Sequence, residues 1–400
     1  MAMYGLPEKV EFCKKCVITN QRPASVPEFK HTAKRDGAEY MHINNEGICD
    51  ACKHAEEKEK INWNIREEEL LKLLDKYRKN NGEYDCLVPG SGGKDSCFQS
   101  HILKTKYGMN PLTCTWSPFL YTDYGRKNFD NWLSVGGHDN VSFRPNGEVM
   151  KLLTKLSIRN LFHPFQTFIL GQKNYPPKVA KQYGIDLIFY GENEAEYGNP
   201  LADNSQSLRD KSFFSLKNFD EIYLAGMPIR DLKKQYNLRD GDLTSFLPME
   251  ANQLDGTDIQ VHYLGYYLKW IPQEAYYYAV DNCGFQARPF RSQGTYAKYH
   301  SIDDKIDDLH WYTTFIKFGI GRASYDASQE IRNNHLTREE AVVLVNKYDG
   351  EFPDIYFNEL MEYIEMDPSE FHELTDKFRP DHLWEKDEGG NEWKLKHQLK

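Results

Sequence analysis

The sequence has no apolar run near the about 20 residues that a bilayer-spanning helix needs. Its first residues also lack the apolar core of a signal peptide. The expectation is therefore a cytoplasmic chain without a membrane role. An excess of positive charge is missing too: 50 Lys and Arg against 60 Asp and Glu leave a formal net charge of −10. That balance argues against a broad basic surface of the kind that wraps nucleic acid, so no nucleic-acid partner is expected. Internal repeats and low-complexity tracts are absent as well, which excludes solenoids and disordered arrays. Cysteine is sparse, at eight in 400 residues. A cytosolic chain of this size does not need disulfides to hold a core.

Four of the eight cysteines are not scattered. Cys13, Cys16, Cys49 and Cys52 form two C-x-x-C pairs separated by 32 residues. Two such pairs supply four soft ligands to one tetrahedral ion, the pattern of a structural Zn²⁺ site, with an iron–sulfur cluster as the alternative occupant. A redox C-x-x-C does not fit, since two pairs occur outside any βαβ context. The long spacer calls for an extra hairpin around Tyr40 to Gly47.

Beyond the cysteines the pattern becomes regular. Leu70, Leu73, Leu74 and Tyr77 mark one face of an amphipathic helix over Trp63 to Lys79. Strands are expected at Tyr84–Val88, Pro111–Trp116, Asn140–Phe143 and Ile185–Tyr190, with helices over Asn128–Val135, Glu148–Ile158 and Lys178–Tyr183. This alternation predicts an α/β fold with an open, mostly parallel, Rossmann-like sheet. The polar stretch from 200 to 257 breaks the rhythm and reads as an insertion, a lid or substrate element, with a helix-like segment near Phe219 to Tyr236. A further strand is expected at Asp258–Leu264, and everything after Gln273 reads as mainly helical. The expected division is a zinc ribbon over 1–60, a sheet domain over 61–270 and a helical region over 271–400.

Between the first strand and the next helix stands Ser91-Gly92-Gly93-Lys94-Asp95-Ser96. A Walker A loop would carry Ser or Thr after the lysine, where Asp95 stands, and a dinucleotide fingerprint would need a third glycine there. What remains is still a phosphate cradle. Gly92 and Gly93 bare the backbone N–H groups, Ser91 and Ser96 add hydroxyls, Lys94 adds charge, and the helix N-terminus points its positive end at the ligand. Asp95 is a candidate Mg²⁺ ligand. A second element, Tyr190-Gly191-Glu192-Asn193-Glu194-Ala195-Glu196-Tyr197-Gly198, follows a buried strand. Glu192 is therefore a second candidate Mg²⁺ ligand at the same sheet edge, and Asn193 a group that orients phosphate or sugar. Further on, Asp303, Asp304, Asp307 and Asp308 read as the solvated face of a helix whose other face is Ile302, Ile306 and Leu309. Lys317, Arg322 and Arg332 lie in a segment of glycines and apolar anchors suited to closing over phosphates, and Lys317 and Arg322 are candidate ATP ligands.

The hexapeptide at Ser91–Ser96 resembles the PP-loop of the N-type ATP pyrophosphatases, which include GMP, NAD and asparagine synthetases and tRNA thiolases. That resemblance implies that the loop holds the β,γ-pyrophosphate of ATP as a leaving group. The ordered set is more specific: the two C-x-x-C pairs, SGGKDS, "YGENEAEYG", "GTYAKYHSIDDKID" and "FIKFGIGRASYDASQEIRNNHLTREEA" together resemble the bacterial N-acetyl sugar amidotransferases of the WbpG/PseA type. This implies an ATP-dependent conversion of an acetamido group on a nucleotide-linked sugar into an acetamidino group, for lipopolysaccharide or flagellar glycan. Lys94, Asp95, Glu192 and Asn193 would be the catalytic set. Ammonia would come from glutaminase and cyclase-like partner subunits, since no cysteine sits at position 2 or in a Gly-x-Cys-x-Gly turn. The rival enzyme reading is a PP-loop tRNA thiolase with an N-terminal zinc ribbon, which would need a sulfur-carrying cysteine beside the loop. A non-enzymatic reading is an ATP-binding regulatory module.

Overall fold

The computed structural model describes residues 2–32, 39–192, 194–199, 206–390 and 392–400. Its centre is a five-stranded sheet of β1 (Cys86–Pro89), β2 (Pro111–Trp116), β3 (Asn140–Phe143), β4 (Leu187–Tyr190) and β5 (Gln260–Tyr263), in the order β3-β2-β1-β4-β5. Every pairing in it is parallel. The helices used below are α1 (Asp50–Lys58), α2 (Trp63–Tyr77), α3 (Lys94–Thr105), α4 (Asp123–Ser134), α5 (Gly147–Leu161), α6 (Gln166–Gln182), α7 (Ile229–Tyr236), α8 (Pro272–Cys283), α9 (Asp307–Phe318) and α10 (Arg322–Arg332).

The apolar strands follow from burial on both faces, as parallel sheets require. Alternation along β1 and β4 splits their side chains between two cores. Cys86, Val88, Leu187 and Phe189 pack with Leu70, Leu74 and Tyr77 of α2, while Leu87 and Ile188 pack with Val179 and Ala180 of α6. Each such side chain removed from water contributes about 1.5–3 kcal/mol. Strand order reverses between β1 and β4, so the loops leaving their carboxyl ends diverge and open a crevice, the usual ligand position in such sheets. Those two loops are Gly90–Gly93 and the segment after Gly191.

Several elements depart from the sequence expectations. Helix α4 starts five residues before the expected Asn128, because the Thr122 hydroxyl caps it by accepting the Gly125 N–H. Helix α6 extends well ahead of Lys178 and carries Pro176 and Pro177 inside it. Tertiary anchoring accompanies the proline defect: Asn174 donates to the Phe246 carbonyl at 2.7 Å and Lys178 to the Leu247 carbonyl at 2.6 Å. Of the helical stretch expected over Phe219–Tyr236, a 3-10 turn at Phe219–Glu221 and α7 form; a hairpin of Tyr223–Leu224 with Met227–Pro228 lies between them, turning through Ala225 and Gly226 at positive φ. The described part of 200–257 buries Leu216, Ile222, Leu224, Leu232, Leu243 and Phe246 in the largest core cluster. Among the described residues, no helix is long and apolar enough to cross a membrane.

The acidic run at 303–308 is not a solvated helix face. The helix begins only at Asp307, and Ile302–Ile306 form a loop that bridges Tyr121. Asp304 is buried and accepts the N–H groups of Phe119, Leu120 and Ile306; Asp308 is buried facing Arg288 at 3.9 Å. These carboxylates tie the loop to β2's exit, a tertiary use that helical periodicity cannot reveal.

Candidate functional site

The loop after β1 is held by close packing at one glycine and openness at the next. Gly92 has φ +85°, and a Cβ there would lie 2.6 Å from Phe129 Cα at α4. Only glycine suits that turn. Gly93 is the N-cap of α3, and a Cβ on it would meet nothing within 4 Å. Its missing side chain instead leaves space in front of the helix N-terminus, where the first-turn N–H groups lack intrahelical acceptors. Gly92→Ala is accordingly expected to cost about 1–3 kcal/mol of stability. Gly93→Ala should melt like the parent yet weaken ATP binding by about tenfold, a difference of about 1.4 kcal/mol. Thermal melts and ATP titration of the two variants check this contrast.

Around the loop lies a cavity of about 620 Å³. Ser91, Gly92, Gly93, Lys94, Asp95 and Glu192 line it, and Lys317 and Arg322 line it as well. Ser96 does not: its buried hydroxyl donates to the Gly93 carbonyl oxygen at 2.9 Å and braces the loop from behind. Asn193 lies outside the described residues.

The polar groups in the cavity are arranged in pairs. Lys94 Nζ sits 2.6 Å from Asp95 Oδ2, while Asp95 Oδ1 is shut off from solvent with no hydrogen bond. Glu192 accepts from the Tyr197 hydroxyl and, through Oε1, from Gln329 Nε2 at 3.3 Å. Burial and the nearby Asp95 carboxylate raise Glu192 above its ordinary range, with Lys94 pulling the other way. Two close carboxylates, one with an orphaned oxygen, are a donor set that suits a hard divalent cation. Arg322 pairs with Asp326 at 2.9 Å and stacks over Trp311. Burial would raise Asp326, but Arg322 and His300 hold it well below the usual carboxylate range. Lys317 donates to the Leu161 carbonyl at 3.1 Å, and Arg332 reaches the Glu196 carbonyl at 2.8 Å without lining the cavity.

Other lining residues escaped the sequence reading. Asp303 accepts a 2.6 Å hydrogen bond from Ser91 Oγ and so fixes one end of the loop. Gly125 lets it approach, since a Cβ there would lie 2.5 Å from Asp303 Cα. Residues 22–31, expected only as spacer between the cysteine pairs, supply a wall of the cavity. Arg22 belongs to that wall; its Nη1 donates to Asn199 Oδ1 at 3.2 Å. A smaller chamber of about 360 Å³ shares Glu28, Lys173, Glu192 and Tyr197 and adds Arg209 and Phe213 from the 200–257 stretch.

Near the N-terminus the four sulfurs of Cys13, Cys16, Cys49 and Cys52 converge, all buried. The Cys13–Cys52 and Cys16–Cys49 separations are 3.9 and 3.7 Å. Tetrahedral zinc–thiolate bonds of about 2.3 Å give sulfur pairs about 3.8 Å apart. Backbone N–H groups of Lys15, Cys49 and Cys52 point at Cys13 or Cys49 sulfurs at 3.4 Å. The cluster is a candidate zinc centre, and its spacing suits one ion.

Comparison with known proteins adds the following. Residues 293–400 match the family described as LPS biosynthesis protein WbpG-like, C-terminal domain. That segment, which contributes α9 and α10 to the cavity, therefore carries the WbpG-type signature that the motifs resemble. The chain is 34% identical over 80 residues to the uncharacterised protein MJ1599 of Methanocaldococcus jannaschii, a stretch covering 20% of this chain and 28% of that protein. A solved structure of NMN synthetase from Francisella tularensis is 12% identical, over 57% of this chain and 99% of that one, with a TM-score of 0.27.

Proposed function

From a WbpG-like C-terminal segment closing on a PP-loop-like turn at a sheet's switch point, we propose an ATP-dependent N-acetyl sugar amidotransferase of lipopolysaccharide biosynthesis. The acetamido oxygen of a nucleotide-linked sugar attacks the α-phosphorus of ATP, and the bond to the β-phosphate breaks with release of pyrophosphate. The amide oxygen is now part of a good leaving group. Ammonia adds to the carbon, loses a proton, and AMP departs with the former carbonyl oxygen, leaving an acetamidino group. No protein nucleophile is required; positioning and charge neutralisation supply the catalysis.

The roles follow from the geometry. The α3 N-terminus, Gly92, Gly93 and Ser91 would cradle the pyrophosphate, with Lys94 meeting its charge. Mg²⁺, held by Asp95 and Glu192, would neutralise the departing oxygens. Zn²⁺ at the four cysteines would be structural. Glutaminase and cyclase-like subunits would supply ammonia. The observation that carries this reading is the orphaned Asp95 Oδ1 beside Glu192 in a cavity walled by the WbpG-like segment. Against a thiolase, Cys86, Cys97, Cys114 and Cys283 are all buried and none lines the cavity; Cys97 touches the loop only through the Gly92 carbonyl, to which its Sγ donates at 3.6 Å, so no cysteine thiol faces the cavity among the described residues.

The test supplies the purified chain with ATP, ammonium and a UDP-linked N-acetyl sugar. AMP and pyrophosphate should form in step with sugar consumption, and the sugar should lose one oxygen and gain one nitrogen. ADP with orthophosphate, or turnover that follows tRNA and a sulfur donor instead, overturns the proposal.

A further inference from the structure

The cavity wall holds three residues that the reaction above does not use. Glu28 and His31 lie at the two ends of a single 3-10 turn, Glu28–Lys30 with His31 as its C-cap, and His163 follows α5 immediately after Phe162. All three line the cavity. Glu28 Oε2 is 2.9 Å from His31 Nδ1 and 3.7 Å from His163 Nε2, and one ligand atom from each residue falls within 4.8 Å of the others. Despite those distances, Glu28 Oε2 is buried without a well-formed hydrogen bond. His163 is 7% exposed, and its Nδ1 is likewise buried without a partner. His310 of α9 stacks on the His163 ring at 5.0 Å and holds its plane.

We propose that Glu28, His31 and His163 form a second metal centre for a transition-metal dication of the zinc class, with its remaining coordination position facing the cavity. Two imidazole nitrogens and one carboxylate oxygen select such an ion over Mg²⁺ or Ca²⁺, which take oxygen ligands. Ligand atoms around a tetrahedral ion with bonds of about 2.0–2.1 Å stand about 3.4 Å apart, between the 2.9 and 3.7 Å found here. Three protein ligands leave a position open, the arrangement of catalytic rather than structural zinc. The ion would meet an oxygen of whatever occupies this part of the cavity. This centre stands independently of the reaction proposed above.

The experiment counts metal on the full chain produced with zinc, and takes visible spectra of protein produced with Co²⁺. Two ions per chain are expected: one with intense thiolate-to-metal bands, one with only the weak bands of nitrogen and oxygen ligation. His163→Ala and Glu28→Gln should each lower the count to one and erase the weak set while the thiolate bands stay. A parent chain that saturates at one ion with the thiolate signature alone overturns the proposal, whatever the variants do. Variants that keep both ions and both signatures overturn it equally.

Discussion

Asp95→Ala is expected to lower pyrophosphate release by at least about a thousandfold, about 4 kcal/mol of barrier, with the melting temperature and cysteine-bound metal unchanged. Asp95 Oδ2 holds Lys94, and Oδ1 points at no protein donor. Removing the carboxylate therefore frees the lysine and deletes the proposed cation ligand together. Nothing in the core is lost, because the side chain is about a third exposed. Lys94→Ala should fall by a similar factor, having lost the charge proposed to meet the pyrophosphate. The check is a pyrophosphate-release assay beside a thermal melt and a metal count. Retained release in either variant removes that residue from the mechanism. A melt that drops with activity would instead make Asp95 a brace for the loop.

Cys16→Ser, or removal of the metal by a strong chelator, should produce the largest loss of stability in the chain. Structural zinc sites in isolated fingers are worth about 10–16 kcal/mol of folding energy. The cluster here packs directly against Ile320, between α9 and α10, and against Tyr325 and Ile331 of α10. Cys49 also caps α1, whose Lys58 reaches the buried Glu196 at 2.5 Å and the Trp270 carbonyl at 2.6 Å. Glu196 shares a 3-10 turn with Tyr197, the hydrogen-bond donor to Glu192. Loss of an ion bound there should thus loosen Glu192, the proposed Mg²⁺ ligand, as well as the fold. Calorimetry should show a lower, broader transition, and activity should vanish before the sheet melts. An unchanged melt after verified metal loss would deny the cluster a structural role.

The sheet's centre was legible because its strands are buried on both faces, as at Pro111–Trp116, which forms over the expected residues; the edge strand Asn140–Phe143 also forms where expected, though it is only partly buried. The phosphate loop was legible for a local reason, since glycine conformation and helix-end chemistry both reside within six residues. Long-range features were hidden. Asp303 reaches Ser91 across 212 positions, and nothing near either residue encodes that meeting. The acidic run looked solvated because periodicity cannot see backbone N–H groups brought from Phe119 and Leu120. Helix α6 hid behind Pro176 and Pro177, whose local preference is overruled by burial. Ser96 matched the motif, but as the third residue of α3 it spends its hydroxyl on the Gly93 carbonyl behind the loop.

The cavity's walls come from residues 22–31, from the turn after β1, and from α9 and α10, so both ends of the chain must arrive before it closes. An activated imidate is prone to hydrolysis. If the chain runs the reaction proposed above, a polypeptide lacking either flank would still present SGGKDS to nucleotide, but would spill its intermediate into solvent, squandering ATP as AMP without aminating anything. In that reaction, coupling of fuel to product would be a property of the assembled enclosure, which no excised piece possesses.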